Sequence, residues 1–273
     1  MISPENLHAW LDRDRPPTVL DVRWRLGGPS GHSDYAAGHI SGAVFLDLDA
    51  DICGTPGPGG RHPLPDPRHL RAALRRAGVG HGESVVTYDG GDHVAAARTW
   101  WTLRWAGLAD VRVLDGGFRV WSAAGLPVST ATPVRRPGNV TVHPGGMPVL
   151  DPAGAAALAA EGRLVDVRTP ERYRGESEPI DPVAGHIPGA ANLPGVETGP
   201  DGRFTAVEQL RHRYAGAGLT LGRPVGAYCG SGVTAARTVL GMTLAGLDPV
   251  LYVGSWSEWI TDPSRPVAVG PPP

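Results

Sequence analysis

Cys229, followed by Gly230, Ser231, Gly232, Val233 and Thr234, combines residue type and spacing in a way that suits a nucleophile. The short apolar run Pro224-Val225-Gly226-Ala227-Tyr228 reads as a strand, and Thr234 to Gly246 reads as a helix. A cysteine at such a strand-to-helix turn meets a ring of backbone N–H groups. A nest of this kind at a helix N-terminus stabilises an anion and therefore favours a thiolate. The competing reading is an inert, buried small residue, the common fate of a lone cysteine. The two glycines and two hydroxyls in residues 230–234 favour the nucleophile.

The rest of the composition narrows the chemistry. All 25 basic residues are arginine, which excludes a Schiff-base lysine and a P-loop with its lysine. The two cysteines, Cys53 and Cys229, show no C-x-x-C spacing and cannot form a metal cluster by themselves. A net charge of −2 gives no reason to expect nucleic acid or an anionic membrane as partner. No apolar run approaches membrane-spanning length and the first residues do not read as a signal peptide, so the cytoplasm is the expected location. A disulfide between Cys53 and Cys229 is not expected there.

The elements that must position Cys229 are written twice. Leu20-Asp21-Val22-Arg23 returns as Val165-Asp166-Val167-Arg168, and Ala37-Gly38-His39-Ile40-Ser41-Gly42-Ala43 returns as residues 184–190. Val85 to Asp89 answers Val225 to Cys229, and Ala-Ala-Arg-Thr follows both, at 96–99 and 235–238. Gly116 to Trp121 answers Gly254 to Trp259. Matches in this order mean two copies of one domain: residues 1–130, a linker at 131–147 rich in proline and arginine, and residues 148–273. Helices alternating with short continuous apolar strands predict an α/β fold, each copy a mostly parallel sheet covered by helices on both faces. Ligands of such sheets bind at the carboxyl ends of the strands, where Asp89 and Cys229 both fall. The stretch 51–65 reads as a long glycine- and proline-rich loop. His39 and His186, Asp21 with Arg23, and Asp166 with Arg168 occur in both copies and read as structural. Trp256 and Trp259 should pack the final helix, with Trp256 at the pocket rim.

These motifs resemble the two-domain rhodanese-type sulfurtransferases over nearly the whole chain. The resemblance implies a silent first copy, with Asp89 facing Cys229, and a second copy whose cysteine carries sulfane sulfur as a persulfide. Thiosulfate enzymes of the family carry two cations in the loop. Gly230 and Ser231 stand there instead and look like the loop of 3-mercaptopyruvate sulfurtransferases. Without those charges the loop suits a dianion less well than a monoanionic α-keto acid. The resemblance makes Arg172 the carboxylate-binding residue, with Arg174 second. Mercaptopyruvate enzymes usually carry a further arginine near Glu178-Pro179, where this chain has Ile180-Asp181-Pro182. It also implies that Asp49, in Asp47-Leu48-Asp49, and His62, in His62-Pro63-Leu64-Pro65, form a relay with Ser231 that polarises or protonates the substrate.

The expected reaction is sulfur transfer from 3-mercaptopyruvate, through a Cys229 persulfide, to cyanide or a thiol such as thioredoxin or a small thiol. This reaction calls for no metal or organic cofactor. Thiosulfate:cyanide transfer by the same cysteine and a non-catalytic sulfur-binding module are the alternatives. A C-x5-R phosphatase is disfavoured, because position 235 is alanine and Arg237 comes too late.

Overall fold

The runs Thr18–Asp21 and Val85–Tyr88 are buried along their whole length, as strands covered on both faces must be. The computed structural model describes residues 1–271. Two compact units emerge, one from residues 1–54, 64–147 and 198–204, the other from 55–63, 148–197 and 205 onward.

The first unit runs α1 (Pro4–Leu11), β1 (Thr18–Asp21), α2 (His32–Ala37), β2 (His39–Ile40) and β3 (Val44–Phe45), then α3 (Pro67–Arg76), β4 (Val85–Tyr88), α4 (Val94–Trp105), β5 (Val111–Val113), α5 (Gly117–Ala123) and β6 (Val128–Ser129). Its sheet has the order β3-β1-β4-β5, all parallel, while β2 and β6 form a small antiparallel pair. Ser3 caps α1 and Asp66 caps α3, each followed by proline in the first turn. Val19, Val86, Tyr88, Leu114 and Trp121 form part of the core.

The second unit runs β7 (Val149–Leu150), α6 (Pro152–Ala160), β8 (Leu164–Asp166), α7 (Pro170–Arg174), β9 (Ala191–Asn192), α8 (Val207–Gly216), β10 (Pro224–Tyr228), α9 (Val233–Ala245), β11 (Asp248–Tyr252) and α10 (Ser255–Trp259). Its parallel sheet has the order β7-β11-β10-β8-β9. Leu164, Ile187, Tyr228, Tyr252, Trp256 and Trp259 are part of its core.

Four segments depart from the sequence-based reading. Residues 55–63 pack with the second unit and residues 198–204 with the first. The expected linker, 131–147, is strapped to the first unit: Gly138 N–H bonds Arg75 O at 2.8 Å, His143 N–H bonds Ala106 O at 2.8 Å and Gly146 N–H bonds Trp105 O at 3.0 Å. Proline and glycine hid these bonds, because such an extended strap has no hydrophobic period. Leu48–Ile52 winds into one turn of π-helix, so the expected loop at 51–65 begins inside an ordered element.

The duplicated polar residues are structural in both units. Arg23 forks onto Asp21 and reaches Gly38 O at 2.7 Å; Arg168 forks onto Asp166 and reaches Gly185 O at 2.6 Å. Register places Asp21 beside Tyr88 and Asp166 beside Tyr228. The tyrosine hydroxyls accept the N–H groups of Ile40 and Ile187 at 3.2 and 3.1 Å. His39 and His186 stack on Tyr35 and Tyr173, and each Nδ1 lies against the carbonyl of the tyrosine on which it stacks. These contacts tie the A-G-H-I turn to the strand that leads into the functional turn.

Burial lowers the pKa of His186 below its ordinary 6.5, against the pull of the Tyr173 carbonyl. The unfolded chain therefore takes up a proton near pH 6.5 that the folded ring refuses. This contribution to stability is present above that pH and is lost as pH falls below it. The urea midpoint is expected to drop between about pH 7.5 and pH 5.5, with a shallower drop in His186→Gln.

Candidate active site

Tyr228, the last residue of β10, delivers Cys229 to the carboxyl edge of the sheet, where it is buried at 4% exposure. Sγ accepts the Gly232 N–H at 3.1 Å, with Gly232 in the left-handed region at φ 76°. Outer bonds hold the turn from behind. Trp256 N–H bonds Cys229 O at 3.0 Å and Ser257 N–H bonds Gly230 O at 2.8 Å. The two carbonyls are thereby drawn back to α10, on the side away from the Gly232 N–H that meets the sulfur. Ser255 accepts the Cys229 N–H at 3.1 Å and donates to Tyr252 O at 2.8 Å. Those two bonds offset its own left-handed φ of 54°, which is costly for a residue with a Cβ. Trp256 is fully buried, with Nε1–H on Val183 O at 2.8 Å and the Arg168 guanidinium 4.7 Å from a ring centroid, so it is core and not pocket rim. Val233 and Thr234 open α9, the first buried and the second half-buried.

His62 reaches this turn because the segment 55–63 belongs to the same unit. Arg61 N–H bonds Ser257 Oγ at 3.0 Å, and Thr261 Oγ1 donates to Pro58 O at 3.3 Å. Gly60, at φ 96°, sits so close that a Cβ would lie 2.7 Å from Gly254 O. The next side chain but one, His62, is buried with Nδ1 2.7 Å from Ser231 Oγ. Asp49 lies in the first unit, where its Oδ2 accepts the Trp24 Nε1–H at 2.9 Å.

Of the two expected arginines, Arg172 lies at the turn: its NH2 would be 3.5 Å from a Cβ at Gly230. It is already engaged, donating from Nε and NH2 to Glu178 at 3.0 and 2.7 Å and from NH2 to Asp181 at 3.2 Å. Arg174 spends its fork on Glu176 at the surface, at 2.7 and 2.8 Å, because α7 ends there and turns its side chain outward. Sequence reasoning missed Arg61. Its NH2 would lie only 2.8 Å from a Cβ at Gly230, and its NH1 bonds Asp181 Oδ1. Burial lowers the Arg61 pKa; the nearby Cys229 sulfur opposes this and Arg172 reinforces it. Adjacency to His62 was the one available signal.

The first unit shows what the turn becomes without a thiol. Asp89 is buried, and its carboxylate accepts from Gly91 N–H and Ala96 N–H at 2.9 and 3.0 Å and from His93 N–H at 3.1 Å. Its nest is filled from within. Cys53 is a free thiol whose pKa burial raises, so it is a poor rival to Cys229. Arg237 is held by Glu197 at 3.1 Å and by Gly195 O at 2.9 Å, a position that serves the fold and not a phosphate cradle.

A model of the rhodanese-like domain matches residues 3–124 and again 151–262. The chain belongs to the rhodanese-like family. A Pseudomonas aeruginosa protein provisionally named 3-mercaptopyruvate sulfurtransferase is 48% identical over 92% of both chains. The human 3-mercaptopyruvate sulfurtransferase is 34% identical over 90% of this chain and 85% of its own. A Mycobacterium tuberculosis protein, SseB, provisionally named a thiosulfate sulfurtransferase, is 43% identical over 99% of this chain and 97% of its own. The crystal structure of SseA from Escherichia coli, described as a 3-mercaptopyruvate sulfotransferase, superimposes with a TM-score of 0.83 at 30% identity, covering 94% of this chain and 99% of SseA. The tandem fold is therefore a rhodanese feature.

Proposed function

We propose that this rhodanese-like chain is a sulfurtransferase that takes sulfur from 3-mercaptopyruvate onto Cys229 and passes it to a small or protein thiol, or to cyanide. The observation that carries the reading is the composition of the turn. Sγ is held by a backbone N–H, the hydroxyl two residues on is paired with His62, and the cations beside the loop arrive from outside it. Cationic side chains at 230 and 231 would suit thiosulfate; Gly230 and Ser231 leave the loop itself uncharged.

The Cys229 thiolate attacks the thiol sulfur of the donor. An S–S bond forms, the C–S bond breaks, and its electron pair leaves on carbon as the enolate of pyruvate. The thiol hydrogen stays on the outer sulfur until the persulfide ionises. A proton delivered through Ser231 and His62 completes pyruvate. Attack by an acceptor thiolate on the outer sulfur restores the Cys229 thiolate, so the two half-reactions are ping-pong. Arg172 holds the donor carboxylate, for which a guanidinium fork is the matching geometry. No step requires a metal or an organic cofactor.

The test is kcat/KM for the two donors with a common acceptor. Mercaptopyruvate is expected to be preferred, and a strong preference for thiosulfate would overturn the donor assignment. Ser231→Ala and His62→Ala should each lower kcat with mercaptopyruvate about a hundredfold while KM changes little. Asp49→Asn in the same assay tests the role that the resemblance gives Asp49, with a fall in kcat expected. An unchanged kcat in Ser231→Ala would remove the proton-delivery role.

A further inference from the structure

Asp181 is a carboxylate shared between two guanidiniums at the mouth of the functional turn. Its Oδ1 meets Arg61 NH1 and its Oδ2 meets Arg172 NH2 at 3.2 Å, with the side chain only 3% exposed. Those are the two arginines whose ends come nearest to the missing side chain of Gly230, Arg61 within 2.8 Å of a Cβ there and Arg172 at 3.5 Å. Glu178 plays a different part. It accepts a fork from Arg172, a bond from Arg168 NH1 at 3.3 Å, and the N–H groups of Ile180 and Asp181, both at 3.1 Å. Glu178 is saturated and built in, whereas the bonds of the Asp181 carboxylate in this cluster are to the two arginines.

Charge makes this arrangement consequential. Arg61, Arg168 and Arg172 face Asp166, Glu178 and Asp181, so the buried cluster is balanced before any donor arrives. A donor carboxylate added to it would be an uncompensated buried charge, which is strongly unfavourable. Arg61 also keeps one donor in reserve: Nε is buried and has no hydrogen-bond partner among the described residues. That N–H belongs to the arginine whose NH2 would come nearest to a Cβ at Gly230.

We infer that Arg61 is the second carboxylate-binding arginine of the donor site and that Asp181 is an internal placeholder which the donor carboxylate displaces. The inference rests on the mercaptopyruvate reading above and adds the residues that set donor affinity. It also accounts for Ile180-Asp181-Pro182 standing where the family usually has an arginine: the second cation comes from residue 61, and position 181 supplies its counter-ion. A side chain at position 230 would push the Arg61 guanidinium out of the space into which it reaches.

The experiment uses the full chain and separates donor chemistry from carboxylate binding. Pyruvate, which has the carboxylate and ketone but no sulfur, is used as a competitive inhibitor alongside steady-state kinetics with mercaptopyruvate. Arg61→Ala is expected to raise the mercaptopyruvate KM and the pyruvate Ki together, by about tenfold or more, with kcat changed much less. Arg61→Lys should recover only part of the loss, since an ammonium cannot fork. Asp181→Asn, which keeps shape and removes charge, should lower both constants severalfold because the competitor is gone. Unchanged pyruvate Ki in Arg61→Ala, or unchanged or raised constants in Asp181→Asn with a wild-type circular dichroism spectrum, would overturn the inference. A wild-type preference for thiosulfate would instead sink the donor reading, an outcome seen before any variant is made.

Discussion

Cys229→Ser gains no sulfur when incubated with 3-mercaptopyruvate, while the unaltered chain gains one sulfur atom, read by intact mass. The expectation follows from the nucleophile's chemistry. Sulfur is intrinsically the stronger nucleophile towards sulfur, whereas a serine hydroxyl in the same place attacks it poorly. Transfer to cyanide should fall by at least about a thousandfold. The serine is nearly isosteric and can still meet the Gly232 N–H, so loss of the fold is not the expected cause. Cys53 provides the control. It is buried, its thiol pKa is raised by that burial, and it follows the π-turn at residues 48–52 in the first unit. Cys53→Ala should take up sulfur as the unaltered chain does. Sulfur uptake that persists in Cys229→Ser would refute the assignment of the nucleophile.

Cys229 was legible because its neighbourhood is local: a strand, a glycine-bearing turn and a helix within about twenty residues, each with its own pattern. The duplication was legible for the same reason, since Asp21 with Arg23 and Asp166 with Arg168 fix the same corner twice. Arg61 was not legible. It sits in a stretch of glycine and proline with no period, and its place is set by long-range backbone contacts to residues 254–261 rather than by any local preference. Arg174 was misleading for a related reason. One α-helical turn separates faces, and two arginines two positions apart on α7 cannot point the same way. Trp256 was misplaced because a tryptophan beside a functional loop fits rim and core equally well in sequence. Only the bond to Val183 O and the stacking of Arg168 decide it. The acidic partners Glu178 and Asp181 were visible as residues but not as partners, because pairing across a loop leaves no spacing rule to read.

Asp89→Ala is expected to destabilise the first unit by about 3 kcal/mol, a loss measured by urea unfolding. In the second unit the nest receives a sulfur that must change partners during turnover. In the first, the carboxylate of Asp89 answers the N–H groups of Gly91, His93 and Ala96 permanently. Truncation leaves three donors facing a space where the charge was, at a residue only 2% exposed. A hydrogen bond to a charged group contributes about 1.5–3 kcal/mol, and an orphaned buried donor costs about 1–3 kcal/mol. Water entering the vacated space recovers part of that sum, which brings the expectation to about 3 kcal/mol. The His93 contact adds to the cost, because His93 holds a left-handed φ of 61° at the start of α4 and its N–H bond to Asp89 helps keep it there. Asp89→Asn should lose less, since one carbonyl oxygen still accepts while the amide nitrogen meets a donor. A loss below about 1 kcal/mol in Asp89→Ala would mean that the turn holds its shape without an anion. The N–H groups around Cys229 would then owe their geometry to α10 and its bonds to the carbonyls of residues 229 and 230, and not to the charge they enclose.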